Sequence, residues 1–531
     1  MDELAAVTEI AAPDVTTNQH RWLIAIAVML GTVLEMVDTS IVNVALPHMQ
    51  GSFSASVDEI TWVVTSYLVA NGIMIPLTGW ISARFGRKRY FLFSVTTFVM
   101  ASACCGAARS LDQMVLFRLL QGFAGAAMVP SSQAIMMETF PPEEQQLAMA
   151  TWSMGLMVAP VLGPTLGGWI TDNWSWRWNF YINVPIGILA ILMVYTFLED
   201  PSYLRPRKGA KIDYLGIATL TVGLGLMQLV CDRGQRADWF SAPWVIYATV
   251  VSILAFVIFT WRELTFADPV VDVRILRNPM FAAVVVLVVV FSFAVYGANI
   301  LNPIFLQEYL GYTAMKAGLT LSPRALASFI ALIVVGQLSR HGVNTRPLIG
   351  VAFLSMGIST WMMSHWTLQV SPWQVVGPVM LNGVGGGLLG PQLSAISMST
   401  VPRERMGYAS SLFNMMRNTG AAVGISLLTS MLVAKEQVHQ ARLVEHFSIF
   451  DAWRMSEAAP RLPGSHQAFH FLSRMDGNQH GLAMIYGMVQ SQAAILAFND
   501  IYRMLSVLAL AVLPIYLVVR KAPMSTAQAG H

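Results

Sequence analysis

GFAGAAMVPSSQAIMMETFPPEE (residues 122–144) and GVGGGLLGPQLSAISMSTVPRER (383–405) are one pattern written twice in the same chain. Aligned without a gap, they share Gly122/Gly383, Gly125/Gly386, Pro130/Pro391, Ala134/Ala395, Ile135/Ile396, Met137/Met398, Thr139/Thr400, Pro141/Pro402 and Glu143/Glu404. A weaker echo pairs GWISARFGRKR at Gly79 with GQLSRHGVNTR at Gly336, with one residue fewer between its glycines. Small residues at helix contacts are common in membrane proteins, so either echo alone could reflect packing chemistry. Their common spacing argues for duplication.

The surrounding composition is that of a membrane chain. Hydrophobic residues make up 55% of the sequence and charged residues 11%, too few charges to cover a soluble surface. Apolar runs of about 20 residues, long enough to span a bilayer as helices, recur from end to end. Backbone groups in lipid must be satisfied internally, and the short alternating strands of a barrel are not seen, so the expected fold class is an all-α polytopic membrane protein. Fourteen spans are read, at 22–46, 59–81, 89–108, 112–137, 145–170, 178–198, 214–232, 242–262, 279–301, 315–338, 346–364, 373–396, 404–432 and 502–520. The first stretch of about 20 residues has no apolar core and does not read as a cleavable signal. Cys104, Cys105 and Cys231 form neither a disulfide framework nor a metal spacing. No basic stripe interleaved with aromatics points to nucleic acid.

Lys and Arg concentrate in cytoplasmic loops. With the N-terminus inside, the inner loops hold Arg84, Arg87, Lys88 and Arg89, then Arg205, Arg207, Lys208 and Lys211, and later Arg262, Arg274, Arg277, Arg340, Arg346, Arg403 and Arg405. The outer loops hold Arg109, Arg177, Arg233, Arg236 and Lys316. Both termini are therefore expected in the cytoplasm. The two echoes pair span four with span twelve and span two with span ten. Both step by eight, which gives two parallel six-helix halves with spans seven and eight inserted between them. The expected organisation is a tail at 1–21, a first half at 22–198, a linker with two spans at 199–278, a second half at 279–520 with an outer loop at 433–501, and a tail at 521–531. Parallel halves are a transporter architecture, with the substrate site near the midplane between them.

Span one carries an anomaly. In VMLGTVLEMVDTSIVNVALP (28–47), Glu35 and Asp38 lie three residues apart in an otherwise lipid-compatible segment. Thr32, Glu35, Asp38, Thr39 and Asn43 fall within an arc of about 140° on a helix. Each acid costs about 2.5–3.5 kcal/mol at mid-membrane, so such residues face a protein interior or cavity and mark ion or proton pathways. Two carboxylates this close do not both ionise cheaply. Arg118 in span four is the natural counter-charge. Its partner in the repeat is Val379, so the first half carries a charge that the second lacks. A static ion pair joining spans one and four is the plainer alternative to a proton carrier.

These stretches resemble the major facilitator superfamily, and within it the EmrB/QacA group of fourteen-helix drug:proton antiporters. VDTSIVNVALP (37–47) resembles the group's first-helix motif, GWISARFGRK (79–88) its motif A, RLLQGFAGA (118–126) its motif B and GLMVAPVLGPTLGG (155–168) its motif C, while WSWRWNFYINVP (174–185) is typical of the group. The resemblance implies the major facilitator fold and supports proton coupling at Asp38, which falls in the first-helix motif; Glu35, just before that motif, and the counter-charge Arg118 complete the expected proton-coupling set. It implies gating at Gly79, Arg84, Gly86, Arg87 and Lys88, with Ala83 standing where the motif commonly has Asp. Gly155, Gly163, Gly167 and Gly168 would let helices approach, and Pro160 and Pro164 would bend their span. The polar residues of the second half are Asn299, Asn302, Gln307, Arg324, Gln392, Asn414 and Arg417. Family geometry places spans 1, 4, 9 and 12 around the cavity. Thr39, Asn43, Phe291, Phe293, Tyr296, Asn299, Asn382 and Gln392 then become candidate lining residues, with ordinary packing the alternative for each.

The function expected is proton-coupled export of hydrophobic drugs or other toxic molecules across a bacterial inner membrane, driven by the proton gradient without a cofactor. The long outer loop resembles exporters that work with an EmrA-like membrane-fusion protein and a TolC-like outer-membrane channel. In that loop AKEQVHQARLVEHF continues span thirteen as a helix, PRLPG breaks it, and His466 and His470 share a face without a third metal ligand. The alternatives are an exporter of a specific metabolite, fatty acid or siderophore, a membrane-embedded enzyme, for which no nucleophile, base or metal cluster is evident, and a non-transporting sensor.

Overall fold

The structure is a computed structural model that describes residues 20–141, 144–199, 213–266, 269–340, 346–402, 405–445 and 479–516. His466, His470 and PRLPG lie outside these residues. Among the described residues every regular element is helical. The long helices are α1 (Arg21–Phe53), α2 (Trp62–Phe85), α3 (Arg87–Ala107), α4 (Leu111–Thr139), α5 (Gln145–Asn173), α6 (Trp178–Phe197), α7 (Tyr214–Arg233), α8 (Pro243–Thr265), α9 (Pro279–Tyr309), α10 (Met315–Ser339), α11 (Pro347–Met363), α12 (Pro372–Ser399), α13 (Met406–Glu445) and α14 (Gln479–Ala511). Eleven helices among the described residues are long and apolar enough to cross a membrane, and α11 is apolar but shorter.

Local chemistry sets the ends. Proline stands in the first turn of α8, α9, α11 and α12, where its missing N–H costs nothing. Ser110 caps α4 by accepting from Gln113 N, and Ser371 with Gln374 forms a capping box on α12. Gly86 separates α2 from α3 with φ +92°, a conformation L side chains avoid, so the chain reverses through a single residue. Near the end of α9, Pro303 removes an intrahelical donor and the helix widens into a π-turn at Phe305–Tyr309. α5 runs unbroken as a helix through Pro160 and Pro164.

The pairing of helices reproduces the duplication. α1 packs on α5 and α6, α2 on α4, and α3 on α4 and α6. Eight helices later, α9 packs on α13 and α14, α10 on α12, and α11 on α12 and α14. The repeat's glycines make equivalent contacts. A Cβ on Gly122 would lie 2.4 Å from Tyr67 O in α2, and one on Gly383 2.3 Å from Arg324 O in α10. The weaker echo sets Tyr67 against Arg324, because 67 and 324 differ by the same 257 positions as Gly79 and Gly336. The seam between the halves is symmetric as well, with α2 on α13 and α5 on α10. The inserted helices α7 and α8 pack on each other, and α7 also covers α2 and α13.

Gly383→Ala is expected to lower stability by about 1–3 kcal/mol, since the added methyl meets backbone. Gly386→Ala, with nothing within 4 Å of its Cβ, should be near neutral. Thermal melts of the detergent-purified variants check this, and equal midpoints would contradict the packing account.

Candidate functional site

α1 packs against α4, α5 and α6 and carries the site. Asp38 is 0% exposed and Arg118 on α4 is 1% exposed. Arg118 Nη1 donates to Asp38 Oδ2 at 2.6 Å. Asp38 Oδ1 accepts from Gln121 Nε2 at 2.9 Å and from Asn183 Nδ2 at 2.8 Å. Arg118 is itself well held. Its Nε donates to Val63 O at 3.1 Å, its Nη1 also donates to Gln121 Oε1 at 2.8 Å, and its guanidinium lies 4.2 Å over the Tyr67 ring. Asn183 also donates to Ser102 Oγ, fixing its orientation through α3.

This geometry states what one proton can do. Oδ1 is taken up by two amide donors, which the carbonyl oxygen of a neutral carboxyl still accepts, though more weakly. Oδ2 has the arginine alone. A proton placed on Oδ2 would displace the bond from Arg118. The guanidinium then keeps the Val63 carbonyl, Gln121 and the Tyr67 face, so it is not stranded in the dry interior.

Glu35, one turn earlier and 4% exposed, meets different neighbours. Its Oε1 accepts from Asn71 Nδ2 of α2 at 2.9 Å, and its Oε2 is buried with no hydrogen-bond partner. The two acids thus diverge, Asp38 toward α4 and α6, Glu35 toward α2.

Thr39 Oγ1 donates to Glu35 O, and Asn43, which is exposed, donates to Thr39 O. In the second half Asn299 accepts from Arg324, Tyr296 is exposed, and Phe293 lies against Gly424 in the α9–α13 contact. Gln392 is buried and bonds within α12 to Leu388 O, while Asn382 is buried with both side-chain polar atoms unpaired. These residues are therefore spread between surface and helix contacts, and do not converge as Asp38 and Arg118 do.

The motif C glycines of α5 pack against α1. A Cβ on Gly155 would meet Met29 Cε at 2.6 Å, one on Gly163 Ser40 Oγ at 2.4 Å, and one on Gly167 Ile41 Cγ2 at 3.1 Å. Gly168 is looser, with Val44 Cγ1 at 3.8 Å. At the end of the molecule bearing Arg84, Arg87 and Lys88, hereafter the basic end, the halves are closed together. A Cβ on Gly79 would lie 2.7 Å from Gly407 O of α13. Thr78 and Ser411 share a hydrogen bond of 2.6 Å, Ser410 donates to Pro130 O at 2.7 Å, and Asn414 donates to Gln133 Oε1 at 2.5 Å. Arg87 pairs with Glu138 of α4, Lys88 donates to Tyr195 O, and Arg84 stacks over Trp80. Ala83 contributes no charge there, and close backbone approach with neutral hydrogen bonds closes this end.

The sequence reading missed Gln121, Asn183, Asn71 and Gln133. Gln121 and Asn183 stand inside stretches already quoted, RLLQGFAGA and WSWRWNFYINVP, but nothing local shows that they converge on Asp38.

A dry acid–base cage in one of two duplicated six-helix halves, beside a seam that is closed at one end, defines a membrane transporter. The Major Facilitator Superfamily model matches residues 28–425, and the chain belongs to that family. It is 35% identical to multidrug export protein EmrB of Haemophilus influenzae over 491 residues, covering 90% of this chain and 92% of that one. It is 31% identical to fatty acid resistance protein FarB of Neisseria gonorrhoeae over 509 residues, 96% of this chain and 97% of the other. The crystal structure of the human organic anion transporter MFSD10 superposes with a TM-score of 0.60 at 14% identity, covering 92% of this chain and 99% of that one.

Arg118→Gln is expected to destabilise the protein by about 3–5 kcal/mol, because it leaves Asp38 charged and unpaired in the interior. Adding Asp38→Asn should recover much of that loss. A double variant whose melting loss equals the sum of the two singles would contradict the cage.

Proposed function

We propose that this transporter is a proton-coupled antiporter that exports hydrophobic drugs or other toxic small molecules across a bacterial inner membrane by alternating access. The observation that carries the reading is the Asp38–Arg118 contact, a buried pair in which one proton on Oδ2 replaces one specific bond. The names of the relatives, multidrug export and fatty acid resistance, support export of apolar or amphipathic molecules.

Residues 22–198 and 279–520 act as the two moving halves, joined by 199–278. The basic end lies in the cytoplasm with both termini, as the distribution of Lys and Arg favours, and 433–501 lies outside. With the basic end closed, Asp38 is served from the outside. A proton arriving there neutralises Asp38, frees Arg118 and biases the halves toward inward access. Substrate from the cytoplasm or inner leaflet favours the deprotonated carboxylate, so the proton leaves inward as the substrate is taken up. Gly155, Gly163, Gly167 and Gly168 keep α5 tight on α1, and together with Pro160 and Pro164 they limit leakage as the halves rock. Gly79, Arg84, Gly86, Arg87 and Lys88 shape the inner gate. Thr39, Asn43, Phe293, Tyr296, Asn299, Asn382 and Gln392 face substrate at some stage of the cycle. In a Gram-negative host the protein delivers substrate to an EmrA-like fusion protein and a TolC-like channel through its outer loop.

A second reading, a dedicated fatty-acid exporter, is favoured by the likeness to FarB. Inverted vesicles energised with an imposed pH gradient test the first. Ethidium uptake is expected in the wild type and should be lost in Asp38→Asn. Full uptake in the variant would sink the role of Asp38. Uptake of a fluorescent fatty acid but not ethidium would favour the second reading.

A further inference from the structure

The second half holds a cation with no acid to match it. Arg324 stands on α10 where Tyr67 stands on α2, and Asn382 stands on α12 where Gln121 stands on α4, since 121 and 382 differ by the same 261 positions as Gly122 and Gly383. In the first half these positions serve a charge pair. Tyr67 lies under Arg118, and Gln121 bonds both Arg118 and Asp38. In the second half the counterpart of Arg118 is Val379, the cation comes from α10 instead, and the acid is missing. α10 and α12 contain no Asp or Glu, and α9 contains Glu308 alone. Glu308 stands nine residues beyond Asn299, about 13 Å along a helix.

Arg324 Nη1 donates to Asn299 Oδ1, a neutral amide. Among the described residues Arg324 forms no ion pair. Asn299 is exposed, and so is Tyr296 one turn before it, which leaves the guanidinium beside accessible surface. Asn382 is 1% exposed, and neither its Oδ1 nor its Nδ2 has a hydrogen-bond partner. Its neighbour Gly383 rests on the Arg324 backbone, so Asn382 and Arg324 lie at one level of the half.

Both features are costly as they stand. A charged side chain inside a membrane span is kept where it meets an opposite charge or serves a ligand. An interior amide without partners loses its hydrogen bonds to water and gains none in return. An anion arriving at this level relieves both. The planar guanidinium matches a carboxylate with two parallel hydrogen bonds, and such charge-assisted bonds are the strong ones. An uncharged head group gains less, and a cation is repelled.

We propose that Arg324, Asn382 and Asn299 form a carboxylate-binding subsite for amphipathic anions with a long apolar tail, the class to which fatty acids belong. The guanidinium and Asn382 Nδ2 donate to the carboxylate, and Asn299 Oδ1 orients the guanidinium. The substrate supplies the acid that the second half lacks, and Arg324 sets the preference for anions. The inference deepens the export reading given above by naming a substrate class, and it rests on that reading for transport.

The test is direct binding to the full-length protein in lipid nanodiscs. The probes are a fluorescently tagged hexadecanoate and its methyl ester with the same tag, titrated in weakly alkaline buffer where the acid is ionised. The wild type is expected to bind the carboxylate more tightly than the ester. In Arg324→Gln carboxylate affinity should fall by about tenfold, as for the loss of one hydrogen bond to a charged group, with ester affinity unchanged. Arg324→Lys should restore most of the loss, and Asn382→Leu should weaken the carboxylate severalfold and spare the ester. Unchanged ester binding also shows that each variant is folded. Equal affinity of the wild type for both probes, a carboxylate affinity unchanged in Arg324→Gln or in Asn382→Leu, or an equal fall for both probes would overturn the inference. Carboxylate binding that depends on Arg324, without accumulation of either the carboxylate or ethidium under a pH gradient, would overturn proton antiport and leave this subsite standing.

Discussion

One carboxylate in a dry interior organises this protein. Asp38 is wholly buried, and its charge is tolerable only because an arginine and two amides are brought to it from α4 and α6. Removing a charge from water costs several kcal/mol even after relaxation, so such a group persists only where its partners are fixed. The helices are fixed by close backbone approach at small residues. Gly122 sits on Tyr67, whose ring supports Arg118, and Gly163 sits on Ser40, two residues beyond Asp38. The motifs of the first half thus build a single object. Its glycines set the distances between helices, and its polar residues use those distances.

The duplicated half uses the same scaffold for something else. Gly383 packs on Arg324 as Gly122 packs on Tyr67, yet the site on α12 that corresponds to Arg118 is Val379, which is buried among apolar neighbours. The second half keeps the helix pairing and drops the charge cage. Its own cation near that level, Arg324, comes from α10 and bonds Asn299 of α9. Duplication therefore conserved packing, and asymmetry was placed on top of it. The proposed proton coupling would draw on that asymmetry.

Much of this was legible in the residues. The nine shared positions of the repeat announced the pairing of α4 with α12, and the packing of α1–α6 against that of α9–α14 follows it helix by helix. The polar arc of α1 and the lone Arg118 announced the ion pair, because a charge inside an apolar helix needs a partner and only one was unexplained. Gln121 and Asn183 were not legible. They lie 83 and 145 positions from Asp38, and only the crossing of three helices brings them together. Helical periodicity placed Glu35 on the same arc as Asp38, but it could not say that a 60° turn of the helix separates partners on α4 and α6 from one on α2. The seam itself, closed by Gln133, Ser410, Asn414 and the Gly79–Gly407 approach, depends on two surfaces fitting, and neither surface carries that information alone.

The central claim is that the buried acids of α1 exchange protons for substrate. The direct measurement is proton release when ethidium is added to detergent-purified protein in weakly buffered solution, followed with a pH indicator. The account predicts release from the wild type, a smaller release from Asp38→Asn and from Glu35→Gln, and the least from the double variant. Binding without release in the wild type, or a release left undiminished in the double variant, would contradict it.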